Sequence, residues 1–168
     1  MSLFKRLKRI LTPEKPVIVE KNILTLTAGD ICEVSMVTYQ VTGRTQNQSR
    51  NAVVLTLQDG STIRYLGIED REKTVFVLYE VIDGRLESLD EVPTILELDD
   101  HTYHLEEQFI GFITTSGKTP YMQGGEQSVW LYQSDDMRHL RIEWQDGRFM
   151  MFEGEPVLPG DVCVVRGK

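Results

Sequence analysis

The feature that most constrains the fold is a repeated alternation of short β-prone runs and turn residues, which extends over residues 23–165. Three Asp-Gly pairs, at positions 59–60, 83–84 and 146–147, each lie between such runs. Asp-Gly supplies the positive φ angles that a tight hairpin turn requires. Helical periodicity is nearly absent over the same stretch. The chain is therefore predicted to be an all-β protein with mainly antiparallel strands.

Two hairpins can be placed on this pattern. The clearest covers residues 53–68 around Asp59-Gly60, and the second covers residues 140–152 around Asp146-Gly147. Asp99-Asp100 is predicted to turn the chain between residues 94–98 and 102–105.

Alternation of apolar and polar residues predicts which faces of the strands are buried. In the strand before residue 41, the predicted core residues are Cys32, Val34 and Met36. In the strand over residues 140–144, the core residues are predicted to be Leu140, Ile142 and Trp144, with Arg141 and Glu143 on the opposite, polar face. Sheets with one dry and one wet face are typically antiparallel.

The two halves of the chain resemble each other. Residues 38–41 (TYQV) are similar to residues 102–105 (TYHL), and residues 66–69 (LGIE) are similar to residues 140–143 (LRIE). One interpretation is two related β-meander halves, about residues 23–90 and 91–168, that form a sandwich or a barrel-like domain. Chance similarity between β-rich segments is the other interpretation.

The N-terminus has a different pattern. On a helix of 100° per residue, one face would carry Leu3, Phe4, Leu7, Ile10 and Leu11, and the other Lys5, Arg6, Lys8 and Arg9. A short basic amphipathic helix over residues 1–12, followed by a linker and first extended segment over residues 13–22, is typical of an interfacial anchor on an anionic membrane. Docking on its own acidic domain, a frayed tail and contact with a protein partner are the alternatives.

Charge and targeting signals narrow the function classes. The formal net charge is -8, although residues 1–15 carry five cations and one acid. This acidic body argues against nucleic acid as a partner, because binding to the phosphate backbone needs a positive face. No apolar run has the length of a signal peptide or of a membrane span. We therefore expect a cytoplasmic protein, peripheral at the inner face of the membrane, with Cys32 and Cys163 reduced and buried.

Motifs for chemistry are missing from the sequence. The chain contains no P-loop, dinucleotide fingerprint, zinc-protease motif, nucleophile elbow or C-x-x-C pair. We therefore predict no catalytic residues, no metal ligands and no cofactor. A ligand pocket lined by Tyr121, Trp130 and Tyr132 is the remaining candidate site, with the loop-like segment 114–127 as its lid. Exposed strand edges would also allow a homodimer.

Several short segments resemble a known bacterial family. They are Gly29-Asp30 at the start of a strand, residues 39–43 (YQVTG), residues 130–132 (WLY), residues 140–144 (LRIEW), and Glu153-Gly154 followed by Val157. They are similar to the family called domain of unknown function 4178, over about residues 23–165. The resemblance implies no enzymatic activity, because the family has no established catalytic residues. Members tend to be encoded beside envelope-stress, polyamine-related and membrane proteins, which fits a peripheral role at the membrane by association only.

Two functions are therefore expected. The first is a non-enzymatic cytosolic interaction module that associates reversibly with the membrane surface in envelope stress or homeostasis. The alternative is a β domain that binds a small ligand beneath the segment 114–127.

Overall fold

The structure, a computed structural model, describes residues 21–84, 86 and 88–166. The predicted N-terminal helix and all but the last two residues of the predicted linker, residues 13–22, lie outside this part of the chain. The described residues form one sheet of eleven antiparallel strands and three short 3-10 turns, with no α-helix among them. This confirms the prediction of an all-β, antiparallel fold.

The strands follow one another closely along the chain. They are β1 (Ile31–Val34), β2 (Val37–Asn47), β3 (Ala52–Asp59), β4 (Thr62–Asp70), β5 (Thr74–Ile82), β6 (Ile95–Leu98), β7 (His101–Gly117), β8 (Gly125–Ser134), β9 (His139–Gln145), β10 (Arg148–Val157) and β11 (Val162–Arg166). The 3-10 turns cover Ile23–Thr25, Leu89–Glu91 and Pro159–Asp161.

Eight of these strands close into a ring. Their order is β2-β3-β4-β5-β10-β9-β8-β7, and the ring closes because the end of β2, from Gly43 to Asn47, pairs with the end of β7. At their starts, β2 and β7 pair on this edge with the short strands β1 and β6 and not with each other. Of the two predicted forms, the closed ring corresponds to the barrel-like one.

The chain builds this ring from two meanders of the same design. In each, a short strand pairs with the start of a long strand, and three further strands follow in order: β1–β5, then β6–β10. The long strands carry irregularities at corresponding places, between Val41 and Gly43 in β2 and between Leu105 and Glu107 in β7. The meanders meet at two seams, β5 with β10 and β2 with β7.

In three two-residue turns between described strands, both residues have positive φ angles. These turns are Ser35-Met36, Asp99-Asp100 and Asp146-Gly147. Both predicted hairpins and the predicted turn at Asp99-Asp100 are confirmed. The first hairpin turns at Gly60-Ser61, one residue later than predicted, because Asp59 still pairs with Thr62. Met36 was expected in the core, but it is 91% exposed, because it is a turn residue between β1 and β2 and not part of a strand.

Apolar side chains form two main clusters, one against each meander. The first joins strands β2 to β5 and is covered by β1, β11 and the turn at Ile23–Thr25. The second joins β7 to β10 and is covered by β6 together with Leu86 and Val92. Cys32 is buried in the first cluster, whereas Cys163 is exposed, contrary to the expectation that both would be buried. Both thiols are free.

The inner face of the ring is separate from these clusters. On β4, Leu66 belongs to the first cluster, whereas Gly67 and Glu69 border a cavity. On β9, Leu140 and Ile142 belong to the second cluster, whereas Arg141 borders the same cavity. Because neighbouring side chains on a strand point to opposite faces, the cavity and the clusters lie on opposite sides of the ring wall. No helix in the described part of the chain could cross a membrane.

Candidate functional site

The ring encloses a cavity of about 290 Å³. Residues from seven of the eight ring strands border it, β10 being the exception. Its volume is near the lower end of the ~300–1,000 Å³ of ligand pockets. Much of the wall is apolar and is supplied by Val54, Val77, Phe109, Ile113 and Leu131. The cavity can therefore hold a small organic molecule against apolar side chains.

An arginine–glutamate pair lies on the inner face of β9. Arg141 Nε donates to Glu143 Oε2 over 2.7 Å, and the two side chains are only 13% and 7% exposed. Burial opposes the charge of Arg141, but the adjacent Glu143 carboxylate outweighs it with help from other groups, so the pKa of Arg141 lies above its usual value. The pair was expected on a solvent face. It is buried because the ring encloses that face.

Several polar groups at the cavity, among them the Nη groups of Arg141, the Tyr79 hydroxyl and the Gln127 amide, make no hydrogen bond within the described residues. Within the described residues, Glu143 is the only hydrogen-bond partner of the Arg141 side chain and is reached through Nε, so the terminal Nη groups make no hydrogen bond. The Tyr79 hydroxyl and the Gln127 amide also make none, although these residues are only 5% and 2% exposed. Burial raises the pKa of Tyr79 to about 12, which keeps its hydroxyl protonated and able to donate.

Two glycines hold the Tyr79 ring in place. A Cβ built on Gly154 would lie 2.6 Å from Tyr79 Cδ1, and one built on Gly67 would lie 2.9 Å from Tyr79 Cε2. Phe152 meets the same ring edge-on, with 6.4 Å between the centroids. Because β4 and β10 both provide space for this ring, the Tyr79 hydroxyl has a defined position at the cavity.

A cluster of ion pairs borders the cavity where an open surface depression adjoins it. This mouth cluster consists of Arg50, Glu69, Arg71 and Glu107. Arg71 lies 2.9 Å from both Glu69 and Glu107, and Arg50 also pairs with both carboxylates. The Arg50 guanidinium stacks 3.9 Å from the centroid of Phe109. The mouth cluster therefore joins β4 to β7 across the opening while its charges balance one another.

His139 is a further cavity residue, at the start of β9. Burial lowers the pKa of its imidazole. Since the ordinary value is about 6.5, the ring is neutral at pH 7. It therefore adds hydrogen-bonding capacity to the cavity without adding charge.

The residues of the predicted pocket lie in different places. Tyr121 borders a smaller cavity next to the main one, and its hydroxyl donates to Arg148 O over 3.2 Å. Trp130 belongs to the second apolar cluster, on the outer side of the wall. Tyr132 belongs to that cluster and also borders the main cavity, and its hydroxyl donates to Pro93 O over 2.6 Å. The three aromatic rings therefore do not line one common pocket wall.

The predicted lid is a loop only in part. Of residues 114–127, the first four end β7 and the last three begin β8, so only residues 118–124 form a loop. The predicted membrane-contact residues, Leu3 to Leu11, lie outside the described part of the chain.

Sequence analysis did not single out Arg141, Tyr79 or Gln127 as site residues. Arg141 and Glu143 were noticed only as the polar face of a strand, and nothing in a single strand indicates that the sheet closes over that face. Across residues 21–84, 86 and 88–166, no three His, Cys, Asp or Glu side chains group as metal ligands. The arrangement is one of binding groups around an apolar space.

Comparison with known proteins identifies the family. No curated protein and no solved structure matches the chain. The family described as "Domain of unknown function (DUF4178)" matches residues 27–159. This match contains the whole ring and every cavity residue named above. The resemblance noted in the sequence is thereby confirmed, and the chain belongs to the DUF4178 family.

Proposed function

We propose that this protein is a binding module that holds a small, mostly apolar organic molecule inside its ring. The observation that carries the proposal is the cavity of about 290 Å³, bordered by seven ring strands, with polar groups that make no hydrogen bond within the described part of the chain. Small-ligand sites typically combine an apolar wall with a few fixed polar groups. The proposal corresponds to the ligand-binding alternative from the sequence, with a different set of lining residues.

The energetics of the polar groups support an occupant. The Tyr79 hydroxyl and the Gln127 amide border the cavity and make no hydrogen bond within the described residues. A hydrogen bond contributes about 0.5–1.5 kcal/mol net. An occupant that accepts hydrogen bonds from both groups and covers the apolar wall would gain these contributions and bury apolar surface at the same time.

The test introduces a bulky side chain inside the cavity and, as a control, the same side chain on the outside of the ring. Leu131 borders the cavity, so Leu131→Trp places a large ring inside it. Ile110 on β7 is 63% exposed, so Ile110→Trp is the matched control on the outside. A panel of neutral fragments, followed by protein-detected NMR, is expected to shift cavity residues in the native chain and in the control. Leu131→Trp is expected to raise the Kd of the bound fragments at least tenfold.

Two results would contradict the proposal. One is the failure of every fragment to shift cavity residues in the native chain. The other is equal binding by the native chain and by a folded Leu131→Trp variant. A genuine ligand at 100 times its Kd should also stabilise the native fold by about 2.7 kcal/mol.

We propose membrane-surface association as a second function, carried by the N-terminal segment alone. Its support is the separation of Leu3, Phe4, Leu7, Ile10 and Leu11 from Lys5, Arg6, Lys8 and Arg9 on a helical projection. Such a segment would hold the binding module near anionic lipid headgroups.

A further inference from the structure

We infer that the cavity selects a neutral molecule with an acceptor oxygen, such as an amide or ketone, over the carboxylate or amine of the same size. This inference rests on the proposed ligand-binding function and names its ligand class. It departs from the usual expectation that a buried arginine marks a site for an anion.

The charge of Arg141 is already balanced. Its Nε is 2.7 Å from Glu143 Oε2, and the mouth cluster pairs its own arginines and glutamates. Three acidic residues border the cavity, Glu69, Glu106 and Glu107, against the two arginines Arg71 and Arg141. A ligand carboxylate would therefore enter as an extra negative charge in a buried space, which is costly without a partner of its own.

A cationic ligand meets the opposite difficulty. The polar groups of the inner wall that make no hydrogen bond within the described residues are mainly donors. They include the Nη groups of Arg141, whose guanidinium is positively charged. Glu69 and Glu107 already pair with Arg50 and Arg71. The third acidic residue at the cavity, Glu106, is exposed to solvent. An ammonium group among the donors of the inner wall would therefore gain a counter-charge only by breaking these pairs or by reaching the exposed Glu106.

The hydrogen-bonding capacity of the wall favours an acceptor. The Arg141 Nη groups can donate four hydrogen bonds, the Gln127 amide two and the Tyr79 hydroxyl one. A carbonyl oxygen has two lone pairs and carries no net charge, so it can use these donors without disturbing the Arg141–Glu143 pair. The apolar remainder of the molecule would then lie against Val54, Val77 and neighbouring side chains.

The test compares hexanamide, hexanoate and hexylamine, which match in length and differ in charge. Each is titrated at pH 7 into the full chain, and Kd is taken from NMR shifts of cavity residues. Hexanamide is expected to bind at least tenfold more tightly than either charged analogue. Equal or tighter binding of hexanoate or hexylamine would overturn the inference and leave the proposed function intact. Binding of none of the three would overturn the inference, while the fragment panel decides the proposed function.

A double variant tests the role of the buried pair. Arg141→Gln with Glu143→Gln removes both charges together, so neither charge is left buried and alone. Arg64→Gln with Glu80→Gln is the matched control, since that pair spans 3.4 Å between β4 and β5 and does not border the cavity. In the first variant, the ratio of the hexanoate Kd to the hexanamide Kd is expected to fall at least fivefold. In the control, this ratio is expected to stay unchanged.

A second, smaller change covers the case in which the double variant does not fold. Tyr79→Phe removes one donor and keeps the aromatic ring between Gly67 and Gly154. It is expected to weaken hexanamide binding severalfold. Unchanged hexanamide affinity in folded Tyr79→Phe and in the folded double variant would contradict the assigned donors.

Discussion

Tyr79 combines two roles that depend on the same close packing. Its ring fits against β4 and β10 only because Gly67 and Gly154 have no side chains, and its hydroxyl is one of the open donors at the cavity. Gly154 pairs with Tyr79 across one seam of the ring and with His139 on the other side. A change at Gly154 should therefore affect both the stability of the seam and the shape of the cavity.

We expect Gly154→Ala to lower the free energy of unfolding by about 2 kcal/mol, within the ~1–3 kcal/mol typical of overpacking. The added Cβ would lie 2.6 Å from Tyr79 Cδ1 and 2.9 Å from the main-chain oxygen of Leu78, which cannot move independently. Urea denaturation of the two chains measures the difference.

Gly160→Ala is the matched control for this substitution. A Cβ there has no neighbour within 4 Å, and the backbone needs no positive φ. Its stability should stay within about 0.5 kcal/mol of the native value. Equal stability of Gly154→Ala and Gly160→Ala would show that Tyr79 is not fixed as described.

At the scale of single elements, the outcome for β9 shows how far sequence reasoning extends. Alternation correctly placed Leu140 and Ile142 in an apolar cluster, because burial of one strand face leaves a local pattern. It placed Arg141 and Glu143 in solvent, because a polar face looks the same whether it meets water or a closed interior. Ring closure depends on β2 meeting β7 some 70 residues later in the chain, and no local pattern records that contact.

Residue types predicted some of the turns between strands and missed others. Asp146-Gly147 was predicted because its residue types favour positive φ. Ser35-Met36 adopts a turn of the same length with φ values of 49° and 67°, but its residue types give no such signal. Met36 therefore looked like the third apolar residue of an alternating strand.

The N-terminal segment is an element whose role can be tested separately from the ring. We expect the full chain to co-sediment with anionic liposomes at low salt and to be released at high salt, since lipid charge supplies much of the attraction. Deletion of residues 1–12 should abolish this binding without changing Tm. A charge-preserving control, Leu7→Ser with Ile10→Ser, should weaken binding by removing only the apolar face.

The result that would contradict membrane association is equal sedimentation of the full chain and the truncated chain. Equal binding to neutral and anionic vesicles would contradict the assigned role of the four cations, Lys5, Arg6, Lys8 and Arg9.

At the scale of the whole molecule, neither meander is complete without the other. The β5–β10 seam joins residues 76–82 to residues 151–157, and the β2–β7 seam joins residues 43–47 to residues 113–117. The first apolar cluster also depends on β11, whose Val162 and Val164 come from the far end of the chain. Cutting the chain between the meanders would expose both seams and uncover this cluster.

We therefore expect residues 21–90 and residues 91–168, produced separately, not to fold as monomers. Mixing them should restore the β-sheet circular dichroism signal and a 1:1 complex on size-exclusion chromatography, because every strand pair of the ring can re-form between the fragments. A monomeric fragment that unfolds cooperatively on its own would contradict this interdependence.

Both seams are antiparallel, and each joins strands at the same position in their meanders. The two meanders nevertheless contribute different groups to the cavity. In the similar segments 66–69 and 140–143, Gly67 corresponds to Arg141. One half thus gives space to Tyr79 while the other supplies the guanidinium, so the interior is asymmetric although the strand order of its wall is symmetric.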